Sequence, residues 1–281
     1  MNIGFIGLGN MGNSIARDLV SEHALTVYDV GTEIVEEFSR LGAKVALSPA
    51  DLAAAADIVG VCVRTDEQVL EVLKGPNGIL SSARPGLIVA IHSTIHLSTL
   101  DQVYAEAQER GVHVVDAPVT RGANAPKTKA VVFMVGGDRD DVAKVVSYVG
   151  PAALKIVETG GRGTAMAVKI CNNLIGYIML VTLRDTFRLA EAAKVDLKAL
   201  ADVVGSNGVA GPNMLYSINR RAGVAAQLHR AIDTAENNAK ISEKDLSCAL
   251  DAAATLGVEM PAVEMARNEI RTTMFELLSP R

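Results

Sequence analysis

Three glycines near the start of the chain constrain its fold more than any other feature. Residues 7–12 have the pattern G-x-G-x-x-G; they directly follow the apolar run at residues 3–6 and lead into a helical pattern. In such a unit the first glycine permits a tight turn, the second lets the backbone approach a pyrophosphate, and the third lets the helix pack closely on the strand. Free N–H groups at the helix N-terminus then face the anion. The segment predicts a strand–turn–helix unit that binds a dinucleotide.

An acidic residue follows in the register that such a unit requires. Asp29 ends the next apolar run, about 20 residues after the glycines, where a carboxylate accepts hydrogen bonds from ribose hydroxyls and repels a 2′-phosphate. NADP-binding chains usually place an arginine just after this position, and here the next residues are Val30, Gly31 and Thr32. The sequence therefore predicts NAD over NADP. The predicted cofactor loop comprises Gly7, Leu8, Gly9, Asn10, Met11, Gly12 and Asp29.

Short apolar runs alternate with amphipathic stretches through the first half of the chain. Strands are predicted at residues 3–6, 24–28, 58–63, 87–91 and 112–115, and the runs at 130–135 and 154–157 could extend the sheet. Helices are predicted between them at residues 11–21, 33–41, 66–73, 99–110 and 138–148. Strands separated by single helices imply right-handed crossovers and a parallel sheet covered on both faces. We predict an α/β, Rossmann-type doubly wound parallel sheet that binds NAD, residues 1–162.

After the glycine-rich residues 160–163 the pattern becomes helical. Residues 164 to about 194 have helical periodicity without proline, which gives a helix about 45 Å long. Its most apolar part, around residues 164–183, carries Lys169, Asn172 and Asn173, so we interpret it as a buried core helix and not a membrane span. Further helical or mixed stretches are predicted at residues 197–204, 222–229, 232–256 and 261–278. We predict an all-helical domain, residues 163–281, that is entered through this connector helix, completes the substrate site and mediates oligomerisation.

Composition excludes several classes of protein. The 281 residues suit about two domains. With 27 Lys and Arg against 32 Asp and Glu, the net charge of −5 disfavours a nucleic-acid partner. Cys62, Cys171 and Cys248 are scattered without metal-ligand spacing, which indicates packed thiols in a reducing compartment. No signal-peptide pattern opens the chain, so a cytoplasmic location is expected. His92 and His96 lie across a strand end without an evident third ligand, so we predict no metal site.

A lysine and an asparagine near the junction carry the chemical prediction. Lys169 and Asn173 are four residues apart and share one helix face within an apolar stretch. Lysine is rarely buried unless it is paired or functional, and the pair could hold a hydroxyl group and its developing oxyanion. A lysine that extends to the surface beside a helix-bending asparagine is the alternative.

Several short sequence motifs are distributed along the chain. They are GFIGLGNMG at the N-terminus, GPNGIL at residues 75–80, Ser93-Thr94, DAPVTRG at 116–122, MVGG at 134–137, KICNN at 169–173 and Lys244-Asp245-Leu246. In these motifs the chain resembles the β-hydroxyacid dehydrogenase family, which includes 3-hydroxyisobutyrate dehydrogenase and tartronate semialdehyde reductase. The resemblance extends over essentially the whole chain. It implies NAD(P)-dependent interconversion of a short 3-hydroxy acid and its semialdehyde by a homodimer or homotetramer.

The resemblance also implies roles for individual residues. Lys169 matches the catalytic lysine, the general acid/base, and Asn173 matches the asparagine that helps to hold the substrate. Thr120 and Gly122 lie in the segment that binds the substrate carboxylate. The remaining matches concern the nicotinamide cofactor: Thr94 and Lys244 match contact positions, and Val63 and Arg64 lie beside it.

The chain departs from the family pattern at a few positions. Arg121 replaces a glycine of the carboxylate-binding segment, Arg64 replaces a proline, Ala165 a glycine and Asp185 a glutamate. If Arg121 points inward, its guanidinium could bind a stronger or second anionic group such as a sulfonate; if it points into solvent, it has no such role. An imine reductase and a non-catalytic nucleotide-sensing module are the alternative functions. The presence of Lys169 disfavours an imine reductase, and that of Lys169, Asn173 and Thr120 favours an enzyme over a sensing module.

Overall fold

The computed structural model describes residues 1–122, 127–223 and 231–278 of the chain. Its strands are β1 Asn2–Ile6, β2 Ala24–Tyr28, β3 Lys44–Val45, β4 Ile58–Val61, β5 Ile88–Ile91, β6 His113–Asp116, β7 Val119–Thr120, β8 Val131–Gly136 and β9 Ala153–Gly160. Its first six α-helices are α1 Asn10–Leu19, α2 Thr32–Arg40, α3 Pro49–Ala55, α4 Asp66–Lys74, α5 Leu97–Gln108 and α6 Arg139–Val149. The later helices are α7 Thr164–Ala192, α8 Leu197–Ser206, α9 Pro212–Arg221, α10 Ala231–Leu256 and α11 Pro261–Leu278.

One sheet joins the described strands in the order β3-β2-β1-β4-β5-β6-β8-β7, and β9 pairs with β8. The pairs from β3 to β6 are all parallel, as predicted, whereas β8 runs antiparallel to both β6 and β7. The reason is local. Only two residues separate β6 from β7, and β8 pairs with β7 in the opposite direction. The predicted doubly wound fold is confirmed, with an antiparallel extension at one side.

The centre of the sheet is buried on both faces. Every residue of β4 and β5 is buried, and in β1 only Asn2 is exposed. This explains why these strands are continuous aliphatic runs in the sequence, because helices cover both faces of a parallel sheet. The strand order changes direction at β1, which lies between β2 and β4. In sheets of this kind ligands bind outside the carboxyl ends of the strands at that point.

The chain separates into two compact units. The described part of the first covers residues 1–121 and 127–169, and that of the second covers Gly122 and residues 170–223 and 231–278. The division falls within α7, between Lys169 and Ile170. In the second unit Leu183 and Phe187 of α7 form a core cluster with Ala201 of α8, Ile218 of α9 and Leu277 of α11.

Helix α7 is less buried than the sequence led us to expect. Its C-terminal part packs in the cluster just named, but Val168, Ile175 and Leu189 are exposed. By length and composition alone α7 could cross a membrane, and only 28% of its most apolar window is buried. The prediction of a buried core helix is therefore wrong for much of its length. Cys171, on the same helix, is exposed and not the packed thiol that we predicted, whereas Cys248 is buried.

The short elements were not predicted. Helix α3 has seven residues and strands β3 and β7 have two residues each, too few to produce a clear periodicity. Helix α9 begins at Pro212, inside a stretch that its glycines and asparagines mark as a turn. The helix predicted at residues 222–229 falls for the most part outside the described residues.

Candidate functional site

The glycine loop joins β1 to α1 in a conformation that needs two of its glycines. Gly7 has φ +94°, and a Cβ there would lie 2.3 Å from the Cys62 carbonyl oxygen. A Cβ on Gly12 would lie 1.9 Å from the Gly7 carbonyl oxygen. A larger side chain at either position would push the loop away from β4 or from α1. These contacts fix the path of the turn directly outside the carboxyl end of β1.

Helix α1 begins directly after this turn. Gly9 precedes the helix, and its carbonyl oxygen accepts the N–H of Asn13, so the N–H groups of Asn10, Met11 and Gly12 come before the first intrahelical bond. A Cβ on Gly9 would have no heavy atom within 4 Å. Open space beside an uncapped helix N-terminus fits a pyrophosphate.

Asp29 lies next to this turn at the carboxyl end of β2. Its Oδ2 accepts the backbone N–H of Leu8 at 2.6 Å, and its Oδ1 accepts the N–H of Gly31 at 2.8 Å. A carboxylate has about four acceptor positions, so both oxygens keep capacity for ribose hydroxyls. The structure thus brings Asp29 and the glycine loop together, and this set fits a dinucleotide.

Two further turns follow β4 and β5 at the same edge of the sheet. The Ser93 hydroxyl accepts the N–H of Val63 at 2.9 Å and donates to the Val63 carbonyl at 2.8 Å. Ser93, which sequence reasoning left without a role of its own, thereby ties Val63 to the turn that carries Thr94. Arg64 is exposed, and its backbone N–H is bonded to Gln68 at the start of α4.

The segment after β6 carries the predicted carboxylate-binding residues. Thr120 is half-buried at the end of β7, and Arg121 and Gly122 are exposed. The Arg121 guanidinium lies 3.4 Å from the hydroxyl of Ser14 on α1. The Arg121 side chain therefore extends toward α1, the helix that begins at the glycine loop.

Asp116, at the end of β6, is completely buried and was not singled out from the sequence. Its carboxylate accepts the hydroxyl of Tyr104 and two backbone N–H groups at the start of α7, from Gly163 and Met166, at 2.9–3.0 Å. Its two partners at the start of α7 are about 50 residues away along the chain, so no local pattern indicated these contacts.

Lys169 lies in the second turn of α7 and is only 8% exposed. Asn173 follows one turn later on the same face. The burial of Lys169 disagrees with the alternative of a lysine that extends to the surface. A buried ammonium on an apolar helix needs polar surroundings or a ligand to be stable.

In the second unit a buried carboxylate holds Asn173. Asp245 of α10 accepts the Asn173 side-chain N–H and the Tyr177 hydroxyl, both at 2.7 Å, on its Oδ2. Lys244 places Nζ 3.1 Å from the other oxygen, Oδ1. Because a carboxylate only accepts hydrogen bonds, the Asn173 amide must turn its NH2 group toward Asp245. Asp245 therefore fixes which way Asn173 presents its oxygen.

The Tyr177 hydroxyl is a permanent donor to Asp245. Burial, together with the negative charge of Asp245, raises the pKa of Tyr177 above its ordinary value. The phenol therefore stays protonated at all working pH values. Tyr177 and Asp245 are functional candidates that the sequence did not reveal, although Asp245 stands in a quoted motif.

The two histidines considered as metal ligands have separate partners. His92 is buried, with Nδ1 2.8 Å from the Ala117 carbonyl and Nε2 3.0 Å from the Tyr148 hydroxyl. His96 has Nδ1 3.0 Å from an Asp66 carboxylate oxygen. Each ring therefore has its own contact within the first unit.

Two family models match the chain. The NAD-binding domain of 6-phosphogluconate dehydrogenase matches residues 2–161. A second model, described as the NAD-binding of NADP-dependent 3-hydroxyisobutyrate dehydrogenase, matches residues 163–278.

Curated proteins and solved structures that are similar to the chain are also oxidoreductases. An uncharacterised oxidoreductase of Mycobacterium tuberculosis is 34% identical over 95% of this chain and 91% of that protein. Mitochondrial 3-hydroxyisobutyrate dehydrogenase of Homo sapiens is 34% identical over 72% of this chain and 60% of that protein. The solved 3-hydroxyisobutyrate dehydrogenase of M. tuberculosis with L-serine is 26% identical, with a TM-score of 0.80 over 98% of this chain and 97% of that one. The chain belongs to the β-hydroxyacid dehydrogenase family and is an NAD(P)-dependent oxidoreductase of that family.

Proposed function

We propose that this chain interconverts a short 3-hydroxy acid and its semialdehyde, with Lys169 as the general acid/base. The observation that carries the proposal is the buried Lys169, one helical turn from an asparagine whose amide is fixed by Asp245. The names of the human and mycobacterial relatives, both 3-hydroxyisobutyrate dehydrogenases, support a 3-hydroxyisobutyrate-like substrate.

The proposed chemistry divides between the cofactor and the side chains. When bound, the nicotinamide supplies the acceptor or donor of hydride. In oxidation Lys169 Nζ takes the proton of the substrate hydroxyl as the carbinol carbon loses hydride; in reduction the protonated Nζ returns a proton to the forming alkoxide. Asn173 donates one side-chain N–H to Asp245, and its second N–H can donate to the same substrate oxygen; its fixed amide costs little reorganisation during the reaction.

For the cofactor we propose NAD rather than NADP. The carboxylate of Asp29 repels a 2′-phosphate, and Val30, Gly31 and Thr32 supply no cation to offset this. The name of the second matching family includes NADP dependence, so the preference needs a direct measurement. We expect a catalytic efficiency at least tenfold higher with NAD; equal efficiencies would contradict the proposal.

For the substrate we propose an additional or stronger anionic group, such as a sulfonate, that interacts with Arg121. The supporting observations are that Arg121 takes the place of a family glycine and reaches toward Ser14 beside the cofactor loop. Arg121→Ala should raise the KM of a sulfonated substrate at least tenfold and that of 3-hydroxyisobutyrate much less. Unchanged KM values for every anionic substrate would exclude this role.

An absorbance assay of NADH with short 3-hydroxy acids and semialdehydes, some of them sulfonated, tests the proposed reaction. Lys169→Ala should lower kcat by at least a thousandfold while NAD still binds. Lys198→Ala, which removes an exposed helical lysine, is the matched control and should keep full activity. Retained turnover in Lys169→Ala would refute the mechanism.

The same assay separates the two alternative functions. Turnover of a cyclic imine and none of the hydroxy acids would favour an imine reductase. NAD binding without turnover of any compound would favour a nucleotide-sensing module. The presence of a lysine at position 169 and of Thr120 and Asn173 supports the dehydrogenase over both.

A further inference from the structure

The start of α7 lacks a cap of its own. The first N–H groups of a helix have no intrahelical acceptor, and a serine, threonine, asparagine or aspartate just before the helix usually accepts one of them. Here that position is Gly163, which has no side chain. The first helical residue, Thr164, donates its hydroxyl hydrogen to the carbonyl oxygen of Gly161. The N-terminal turn therefore depends on an acceptor from elsewhere in the fold.

Asp116 supplies that acceptor from the end of β6. Its Oδ1 accepts the N–H of Gly163 at 3.0 Å and its Oδ2 accepts the N–H of Met166 at 2.9 Å. The Tyr104 hydroxyl donates to the same Oδ1 at 2.9 Å. Both carboxylate oxygens are thus engaged, and a negative charge at a helix N-terminus is favourable to the helix dipole. With no exposed surface, Asp116 has no freedom to turn away.

We propose that Asp116 is the positioning residue for Lys169. Met166 and Lys169 are three residues apart and lie on the same side of α7, with an axial separation of about 4.5 Å. Because Asp116 fixes the backbone of Gly163 and Met166, it fixes the turn from which Lys169 extends. Displacement of a reacting group by about 1 Å can cost about a hundredfold in rate. The inference rests on the proposed role of Lys169 as general acid/base.

The family resemblance described above implies no role for Asp116. In the same segment it implies carboxylate binding for Thr120 and Gly122. Asp116 is completely buried, whereas in the same segment Thr120 is half-buried and Arg121 is exposed. Asp116 and its three partners, Tyr104, Gly163 and Met166, all belong to the first unit. The anchor is therefore complete within the unit that also contains Lys169.

Asp116→Asn is the first test. In either orientation of the amide, its NH2 group faces an N–H of Gly163 or of Met166, so one of the two anchoring bonds is lost. We expect kcat to fall at least thirtyfold, while the Kd of NAD and the KM of the substrate stay within threefold. The primary deuterium isotope effect on kcat should increase, because a displaced Lys169 makes the chemical step rate-limiting.

Tyr104→Phe is the matched control. It removes one hydrogen bond from Asp116 and leaves both bonds to α7, so kcat should stay within threefold even if Tm falls. A merely structural role of Asp116 predicts that Asp116→Asn lowers Tm and the yield of active protein, with kcat per cofactor-binding site and the isotope effect unchanged. That result would overturn the proposal.

A second pair of variants decides the question if Asp116→Asn does not fold. Met166→Pro removes the N–H that Asp116 accepts. Met166 precedes the first intrahelical bond, which runs from the Ala167 N–H to the Gly163 carbonyl, so the change removes no hydrogen bond of the helix itself. Met166→Ala loses a similar part of the side chain and keeps the N–H. We expect kcat of the proline variant to be at least tenfold below that of the alanine variant at equal NAD affinity. Equal kcat values would overturn the proposal.

Lys169→Ala separates this inference from the proposed reaction. If Lys169→Ala keeps its turnover, the mechanism fails and Asp116 has no catalytic group to position. If Lys169→Ala is inactive while Asp116→Asn and Met166→Pro retain full kcat with unchanged isotope effects, the mechanism stands and only the positioning role of Asp116 is refuted.

Discussion

Two glycines of the cofactor loop meet different surroundings, so their substitution should have different results. A Cβ on Gly12 would overlap the Gly7 carbonyl, whereas a Cβ on Gly9 would face open space. We expect Gly12→Ala to lower Tm by several degrees. Gly9→Ala should leave Tm within about 2 °C and raise the Kd of NAD at least tenfold, because the methyl group would occupy the space of the pyrophosphate.

Thermal unfolding with and without NAD, and fluorescence titration of NADH, would measure both effects. Gly161→Ala, at another open position that lies outside the loop, is the control and should change neither quantity. Normal NADH affinity in a folded Gly9→Ala variant would mean that the phosphates do not approach the loop at this residue.

His92 makes stability depend on pH. Burial lowers the pKa of His92 to about 4 from its ordinary value near 6.5. The unfolded chain therefore binds a proton between pH 6.5 and 4 that the folded chain does not, and stability falls as the pH decreases through this interval. The loss attributable to His92 is about 3 kcal/mol at pH 4, and it should level off below that pH.

Urea unfolding between pH 7 and pH 4 would measure this contribution. His92→Asn should be less stable at pH 7, because it loses contacts with Ala117 and Tyr148. Its free energy of unfolding should, however, depend less on pH between 6.5 and 4 than that of the wild-type protein. Parallel curves for the two proteins would show that His92 does not cause the acid sensitivity.

At the scale of elements, the sequence determines the central strands well. Strands β1, β4 and β5 were predictable because a strand buried on both faces requires an uninterrupted aliphatic run. Strand direction was not predictable in the same way. The run that becomes β8 reads like the parallel strands, and only its pairing with the two-residue strand β7 makes it antiparallel.

The same contrast holds for α7. Its length was predictable from uninterrupted helical periodicity, whereas its exposure was not, because exposure depends on how much of a 29-residue helix the neighbouring helices cover. The contacts that hold α7 were also not predictable. Asp116 and Asp245 are about 50 and 70 positions away from the α7 residues that they bind. Contacts over such separations produce no periodic pattern in the sequence.

At the scale of the whole molecule, the proposed cofactor loop could be identified from the sequence because its elements are close together along the chain. A turn, a helix N-terminus and an acid at the end of the next strand occur within about 30 residues. Lys169 and Asn173 could be proposed as a pair for a similar reason, since helical spacing places them on one face. Asp116, which binds the backbone of α7, and Asp245, which binds Asn173, come from distant segments, and only the fold brings these groups together.

The exposed apolar side chains of α7 lead to a prediction about assembly. Val168, Ile175 and Leu189 are separated by multiples of seven residues, so they lie along one face of the helix, and Ile175 is 72% exposed. Complete burial of an exposed isoleucine or leucine contributes about 1.5–3 kcal/mol, and the partly covered Val168 would contribute less. We therefore expect a second copy of the chain to cover this face in a homodimer or homotetramer.

Light scattering after size-exclusion chromatography would test the assembly. Ile175→Glu should shift the protein toward the monomer at micromolar concentration, because a carboxylate buried in an apolar interface is costly. Leu47→Glu, at a leucine that is 90% exposed and lies outside α7, is the matched control and should leave the oligomer intact. A wild-type monomer, or an oligomer that Ile175→Glu does not weaken, would show that this face has no role in self-association.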